Sequence, residues 1–297
     1  MADLNEALNY MADGKLLPVT DIWNRELEYM ADGKLLSMMS ANRIALSIGC
    51  VAYWKFDVDS ATQIDSVNSH DGTVANAVYN GSGKINGAFD YDGNGDVITV
   101  PDHADLRPDS HDFTISAWVK LDATITPDWC SIFGKGDTGA GEWMVRVPKS
   151  TGVVQAYGDN ANMSFGMDES PIVDTNWHHV VLVIDQSNTN AYLYLDGVRC
   201  ASPEPSPGTF GSTKDLTIGG ADGNATRWWD GGIDEIGIWN RALEQADIDE
   251  LYNGGTGIQY PFLPAAGWAN NFLGVANASI AKINGIAIAS ISKVNGT

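Results

Sequence analysis

The chain has 297 residues, 44% of them apolar and 19% charged, a balance that supports a sizeable folded core and excludes a disordered chain. Asp and Glu number 38 against 17 Lys and Arg, a formal charge of −21. Such a surface repels phosphate backbones and anionic membranes and attracts Ca²⁺ and basic protein surfaces, so no nucleic acid partner is expected.

Residues 1–48 carry helical periodicity. The opening MADLNEALNYMADGK is acidic and lacks the charged-then-apolar layout of a secretory signal. The chain has no run of about 18 apolar residues, so no membrane span is expected. LNYMADGKLL at 8–17 returns as LEYMADGKLL at 27–36. Leu4, Leu8 and Met11 share one helical face, as do Trp23, Leu27 and Met30. Gly14 and Gly33 follow Asp and suit the left-handed position that ends a helix. Two short amphipathic helices are expected, each too short to stand alone, in an N-terminal anchoring region.

Residues 49–262 read as strand after strand. In DFTISAWVKLD, Phe113, Ile115, Ala117, Val119 and Leu121 share one face. In NAYLYLDGV, Ala191, Leu193 and Leu195 oppose Tyr192 and Tyr194. WHHVVLVIDQ is more continuously apolar, as a strand at a sheet centre would be. Asp92-Gly93, Asp196-Gly197 and Asp222-Gly223 separate the runs, and ALEQADIDELYN closes the region as a helix with Leu243, Ala246 or Asp247, and Leu251 near one face. Many strands without long intervening helices predict an all-β sandwich. Cys50, Cys130 and Cys200 match no metal-ligand spacing and read as buried free thiols, with one disulfide left open.

Residues 263–297 form an Ala- and Asn-rich β segment in which IAKING at 280–285 returns as ISKVNG at 291–296. Asn284-Gly285 is a strong two-residue hairpin signal. Folded there, Ile283 opposes Ile286 and Ala281 opposes Ile288, while Ile280, Ala289 and Ile291 crowd the other face. A hairpin apolar on both faces needs cover on both, so Ile280, Ile283, Ile286, Ile288 and Ile291 are expected in a subunit interface.

Six segments in order carry a resemblance: CVAYWKFD, DSVNSHDGTV, GAFDYDGNGDVITVPD, FTISAWVKLD, NWHHVVLVID with NAYLYLDGV, and GGIDEIGIWNRALEQADIDELYNGG. Together they resemble the laminin G-like, concanavalin A-like jelly-roll family over roughly residues 49–260. The resemblance implies a two-sheet antiparallel jelly-roll sandwich, here with N-terminal helices and a C-terminal β-hairpin. It also implies a module that binds glycans or proteins. Ile22-Trp-Asn-Arg25 repeats Ile238-Trp-Asn-Arg241, and the Lys-Ile-Asn-Gly type repeat is similar to tails of phage structural proteins.

Glucanases on such a fold set a general acid and a nucleophile on one strand side, about 5 Å apart. Asp234 and Glu235 are adjacent and expected to face apart, which argues against glycosidase chemistry. His178 and His179 are likewise expected to point to opposite faces and cannot share a metal. With no nucleophile elbow or phosphate loop either, the chain is expected not to be an enzyme. Ca²⁺ takes carboxylate and carbonyl oxygens from several loops. Asp65, Asn68 and Asp234 are therefore expected to hold a structural calcium if the ends of the domain meet. Asp92, Asn94 and Asp96 are a weaker set. Sugar rings stack on exposed aromatics beside polar groups, which nominates Trp228, Trp229, Trp129, and Tyr157 with Asp159 and Asn160. Of Trp228 and Trp229, one is expected in the core. The reading that results is a non-catalytic surface component of a phage virion, assembling with itself and other particle proteins and displaying a glycan- or protein-binding jelly-roll. The alternative is a secreted or cell-surface carbohydrate-binding module.

Overall fold

Phe113, Ile115, Ala117, Val119 and Leu121 all enter one apolar cluster, so the alternation of their strand is realised as expected. An alternating strand buries one face only against a second layer, and a second sheet supplies it. This computed structural model describes residues 28–31, 34–37, 41–109, 111–122, 127–137, 139–158, 163–200, 204–205, 210–221 and 226–262, with four two-residue strands between 271 and 287.

The first elements are β1 (Glu28–Ala31), β2 (Lys34–Ser37) and helix α1 (Ala41–Ser47). Then come β3 (Cys50–Trp54), β4 (Thr62–Gln63), β5 (Gly72–Ala75), β6 (Val78–Ile85), β7 (Gly87–Asp92) and β8 (Val97–Val100). After them run β9 (Phe113–Leu121), β10 (Trp129–Lys135), β11 (Trp143–Pro148), β12 (Val153–Gly158), β13 (Met163–Pro171) and β14 (His178–Asp185). β15 (Asn190–Leu195), β16 (Val198–Arg199), β17 (Glu204–Pro205), β18 (Leu216–Ile218), β19 (Asp230–Trp239) and helix α2 (Gln245–Tyr252) complete the sandwich.

One sheet runs β13-β12-β11-β10-β18-β8-β5-β4, and the other β16-β15-β14-β9-β19-β7-β6, with β3 also on β19. Neighbours pair antiparallel in both. Phe113 and Phe133 meet Trp143 edge-on between the sheets, at ring distances of 5.6 and 6.4 Å. Ala191, Leu193 and Leu195 join that core, while Tyr194 lies in a second cluster with Val181, Val183, Trp239, Ile248, Leu251, Tyr260 and Phe262. The second sheet is thus apolar on both faces, which accounts for the unbroken run in His178–Asp185.

α2 buries Asp247 and Leu251, two of the positions expected near one face, and Ile248 besides, and a reciprocal Glu244–Asp247 capping box starts it. α1 docks beside it. Leu46 is fully buried, its carbonyl accepts from Trp239 Nε1 at 2.7 Å, and Arg43 pairs with Glu250. The end of the N-terminal region therefore packs on the chain's own sandwich.

The helix expected through Met30 is corrected. Tyr29 pairs with Leu36 and Met30 with Leu35 in an antiparallel hairpin. Asp32-Gly33, between the strands, is a pair that two-residue hairpins favour, and a helix this short is costly to nucleate. Leu4, Leu8, Met11, Trp23 and Leu27 lie outside the described residues. At the other end, β20 (Asn271–Phe272) pairs with β21 (Val275–Ala276), and β22 (Lys282–Ile283) with β23 (Ile286–Ala287). Ile283 opposes Ile286, the register expected around Asn284-Gly285. Ile280, Ile288 and Ile291 lie outside the described residues. No disulfide joins Cys50, Cys130 and Cys200 to one another, and the latter two are buried.

Candidate ligand-binding cleft

Val145 and Val147 face the core, so Arg146 between them points to the other face of the first sheet. Register decides its neighbours. Trp129 pairs with Pro148 and Met144 with Tyr157, which sets both aromatics diagonally to Arg146 on adjacent strands, within reach of long side chains. The guanidinium lies 4.0 Å from the Trp129 ring centroid and 3.9 Å from that of Tyr157. The stack leaves Arg146 6% exposed, and its Nε has no hydrogen-bond partner among the described residues. Burial first, and the Arg227 charge second, bring its pKa down to about 10. Arg227 stands 5.9 Å from the Trp129 ring and pairs with Asp137 at 2.6 Å. Two guanidiniums thus converge on one indole in a protein of charge −21.

Trp129, Arg227 and Trp228 line a cleft of about 620 Å³ together with Gly93, Asn94, Pro127, Asp128 and Thr226. Of the two adjacent tryptophans, Trp229 is fully buried and donates from Nε1 to the Gly232 carbonyl, whereas Trp228 is half-buried at the cleft. Trp228 rests on the backbone of Gly220, where a methyl group would stand 2.7 Å from the ring. Of the nominated aromatics, Trp129 and Trp228 line the cleft, Tyr157 flanks Arg146, and Trp229 is the one that belongs to the core. Asp159 and Asn160 lie outside the described residues. Arg146 and Arg227 were missed. The available signal was a lone Arg amid the apolar run WMVRVP, since Arg is seldom buried without a partner.

The carboxylates on β19 depart from expectation. Ile233 and Ile236 both enter the inter-sheet core although three positions apart, and the register with β9 shifts between Asp234 and Gly237. A bulge there, with Glu235 at φ 51°, breaks the alternation and turns both carboxylates to the outer face. Asp234 accepts from the backbone of Ile85 and Glu235, and Glu235 accepts from Tyr53 Oη and Gln259 Nε2, each at 2.6 Å. Burial pushes Asp234 up to about 8, and burial with the Asp234 charge holds Glu235 well above the carboxylate range. The premise that these two face apart is corrected.

The oxygens nominated for calcium have other partners. Asp65 accepts from four backbone amides, those of Tyr53, Val67, Asn68 and His70, which fills the lone-pair positions of a carboxylate. Asn68 donates to the Val51 carbonyl. Asp92 and Asp96 serve the turn between β7 and β8, Asp92 accepting from Asn94 and Asp96 from Asp92. His178 bonds Asp174 and Asp196, while buried His179 bonds Ser116, lies tilted against Trp118 and stacks on Tyr252, so the two diverge as expected.

Among solved structures, the binding domain of Paraclostridial Mosquitocidal Protein 1 is similar at a TM-score of 0.58 and 16% identity, over 71% of this chain and 53% of that one. A Trypanosoma rangeli sialidase in complex with 2,3-difluorosialic acid gives 0.56 and 18% over 71% of this chain and 34% of its own. Domain 4 of AbnA, a GH43 extracellular arabinanase from Geobacillus stearothermophilus, in complex with arabinotriose, gives 0.53 and 20% over 70% and 98%. The chain spans about half of the first of these and a third of the second. At such identities the likeness is one of fold. Chains of a sialidase and an arabinanase nevertheless share it, and this corrects the expectation that the chain is not an enzyme. No curated protein sequence matches the chain. The family profile described as the concanavalin A-like lectin/glucanases superfamily matches residues 92–249, more than half of the sequence and most of both sheets, and the chain belongs to that superfamily.

Proposed function

We propose that the chain binds carbohydrate in the Trp129–Trp228 cleft, and that the sugar carries an anionic group. The observation that carries this reading is Arg146, stacked between Trp129 and Tyr157, its Nε without a hydrogen-bond partner among the described residues, and a second guanidinium nearby. Two close cations repel each other and lose hydration on burial, and both costs fall when a carboxylate or sulfate arrives. Trp228, half-buried on the cleft wall, offers a face on which a pyranose ring can stack. The arabinotriose bound to domain 4 of AbnA supports carbohydrate as a ligand class for this fold.

We further propose a place on the surface of a virion. The self-repeating apolar segments 280–285 and 291–296 and the repeated 8–17 and 27–36 support that reading, together with the acidic sandwich between them. Residues within these flanks would contact further copies or other particle proteins.

A glycan array holding neutral and acidic saccharides tests the cleft. Wild-type chain should retain acidic glycans, and Trp129→Ala and Trp228→Ala should each lower the signal about tenfold or more, the loss of one stacking contact of roughly 1.4 kcal/mol. Gly220→Ala should act likewise by displacing Trp228. Signals on acidic glycans that are unchanged in all three variants would remove the cleft from the binding reaction.

A further inference from the structure

β5 and β8 pair antiparallel with Thr73 opposite Thr99. Continuing that register past both strand ends sets position 70 beside position 102, so the residue entering β5 meets those leaving β8. At that end of the first sheet three metal-ligating side chains converge. The ligand atoms of His70, His103 and Asp105 all lie within 4.8 Å of one another. They belong neither to the cleft, which β10 and Trp228 define, nor to the buried carboxylates of β19.

His70 is held in place. Its amide donates to Asp65, its carbonyl accepts from Trp54 Nε1 at 2.8 Å, and its side chain is only 9% exposed. Its Nε2 is buried and has no hydrogen-bond partner among the described residues. Asp105 Oδ2 stands 3.5 Å from that nitrogen and 3.3 Å from His103 Nδ1. His103 begins the short 3₁₀ turn Ala104–Leu106, which buried Leu106 pins to the core, and the two imidazoles are 4.6 Å apart.

We infer that His70, His103 and Asp105 form a binding site for a divalent first-row transition metal, with zinc as the representative ion. The spacing carries the argument. Zinc bound at about 2.0–2.2 Å to nitrogen and carboxylate oxygen sets tetrahedral ligand atoms about 3.4 Å apart, close to the 3.5 Å of Asp105 Oδ2 from His70 Nε2 and the 3.3 Å from His103 Nδ1, the nitrogen that also accepts from the Asp105 amide, while the two histidine nitrogens lie within 4.8 Å of each other. Two imidazoles and one carboxylate favour zinc, nickel or copper over calcium and magnesium, which take oxygen. Two ligands sit on elements fixed by core packing or backbone hydrogen bonds, so binding requires little ordering. His103, the exposed member, offers a ring nitrogen from the solvent side. Three protein ligands leave a coordination position for water or for a group on a partner. The ion would tie the β4–β5 loop to the segment after β8.

The test is calorimetric titration of ZnCl₂ into the untagged full chain, with a thermal melt alongside. The expected result is one ion per chain and a raised midpoint, with no rise from CaCl₂ at equal concentration. His103→Asn keeps a residue suited to start the 3₁₀ turn but removes a nitrogen ligand. It should lower zinc affinity at least tenfold and abolish the midpoint rise, and Asp105→Asn should do the same. His178→Asn, at the other histidine with acidic partners, should bind as wild type. Cobalt(II) in place of zinc should give tetrahedral ligand-field absorption that His103→Asn loses. No zinc uptake by wild type, or equal uptake by wild type and both site variants, overturns the inference.

Discussion

Arg146→Met separates a side chain kept for a ligand from one kept for the fold. At neutral pH Arg146 is charged, yet burial and Arg227 bring its pKa down to about 10. At 1.36 kcal/mol per tenfold this sets roughly 3 kcal/mol against its charged form in the folded state. The two ring contacts return between about 0.5 and 2 kcal/mol each. The terms nearly cancel, and a methionine of similar length refills the slot between Trp129 and Tyr157 without desolvating a charge. The variant should therefore keep its stability within about 1 kcal/mol of wild type or gain some, a midpoint change of a few degrees at most. Breaking a buried ion pair, by contrast, costs about 3–5 kcal/mol. Urea unfolding measures the stability, and the glycan array measures retention of acidic saccharides, which the variant should lose. A fall of more than about 2 kcal/mol would show Arg146 to be a structural pin and refute the reasoning; undiminished binding of acidic glycans would refute its role toward the ligand.

The buried pair on β19 makes stability depend on pH. Asp234 is pushed up to about 8 and Glu235 is held well above its ordinary range, so the folded chain keeps protons that the unfolded chain releases near pH 4. Their contribution is full in acid and is lost as pH climbs through about 8. Glu235→Gln retains hydrogen-bonding capacity toward Tyr53 and Gln259 and removes one charge, so its urea midpoint should fall less between pH 5 and pH 9 than the wild type's; equal falls would contradict this. For the virion proposal, native mass spectrometry of the full chain should show an oligomer, and a monomer over the whole concentration range would count against it.

Much of the architecture was legible in the residues themselves. The strand Phe113–Leu121, the opposed faces of Asn190–Leu195, the pairing of Ile283 with Ile286 and the buried face of α2 follow from period and turn chemistry, which act over a few neighbours. The division of Trp228 from Trp229 follows from the same alternation. What the tertiary structure alone decided depends on which strand lies beside which, and in what register. The bulge that turns Asp234 and Glu235 to one face leaves no mark in IDEIGI, because the shift exists only relative to β9. Arg146 finds Trp129 and Tyr157 through two ladders, and His70 meets His103 and Asp105 because β5 lies on β8, more than thirty residues apart in the chain. Local pattern sets which side of a strand is apolar; pairing across the sheet chooses which polar groups become neighbours, and the proposed binding chemistry resides in those pairings.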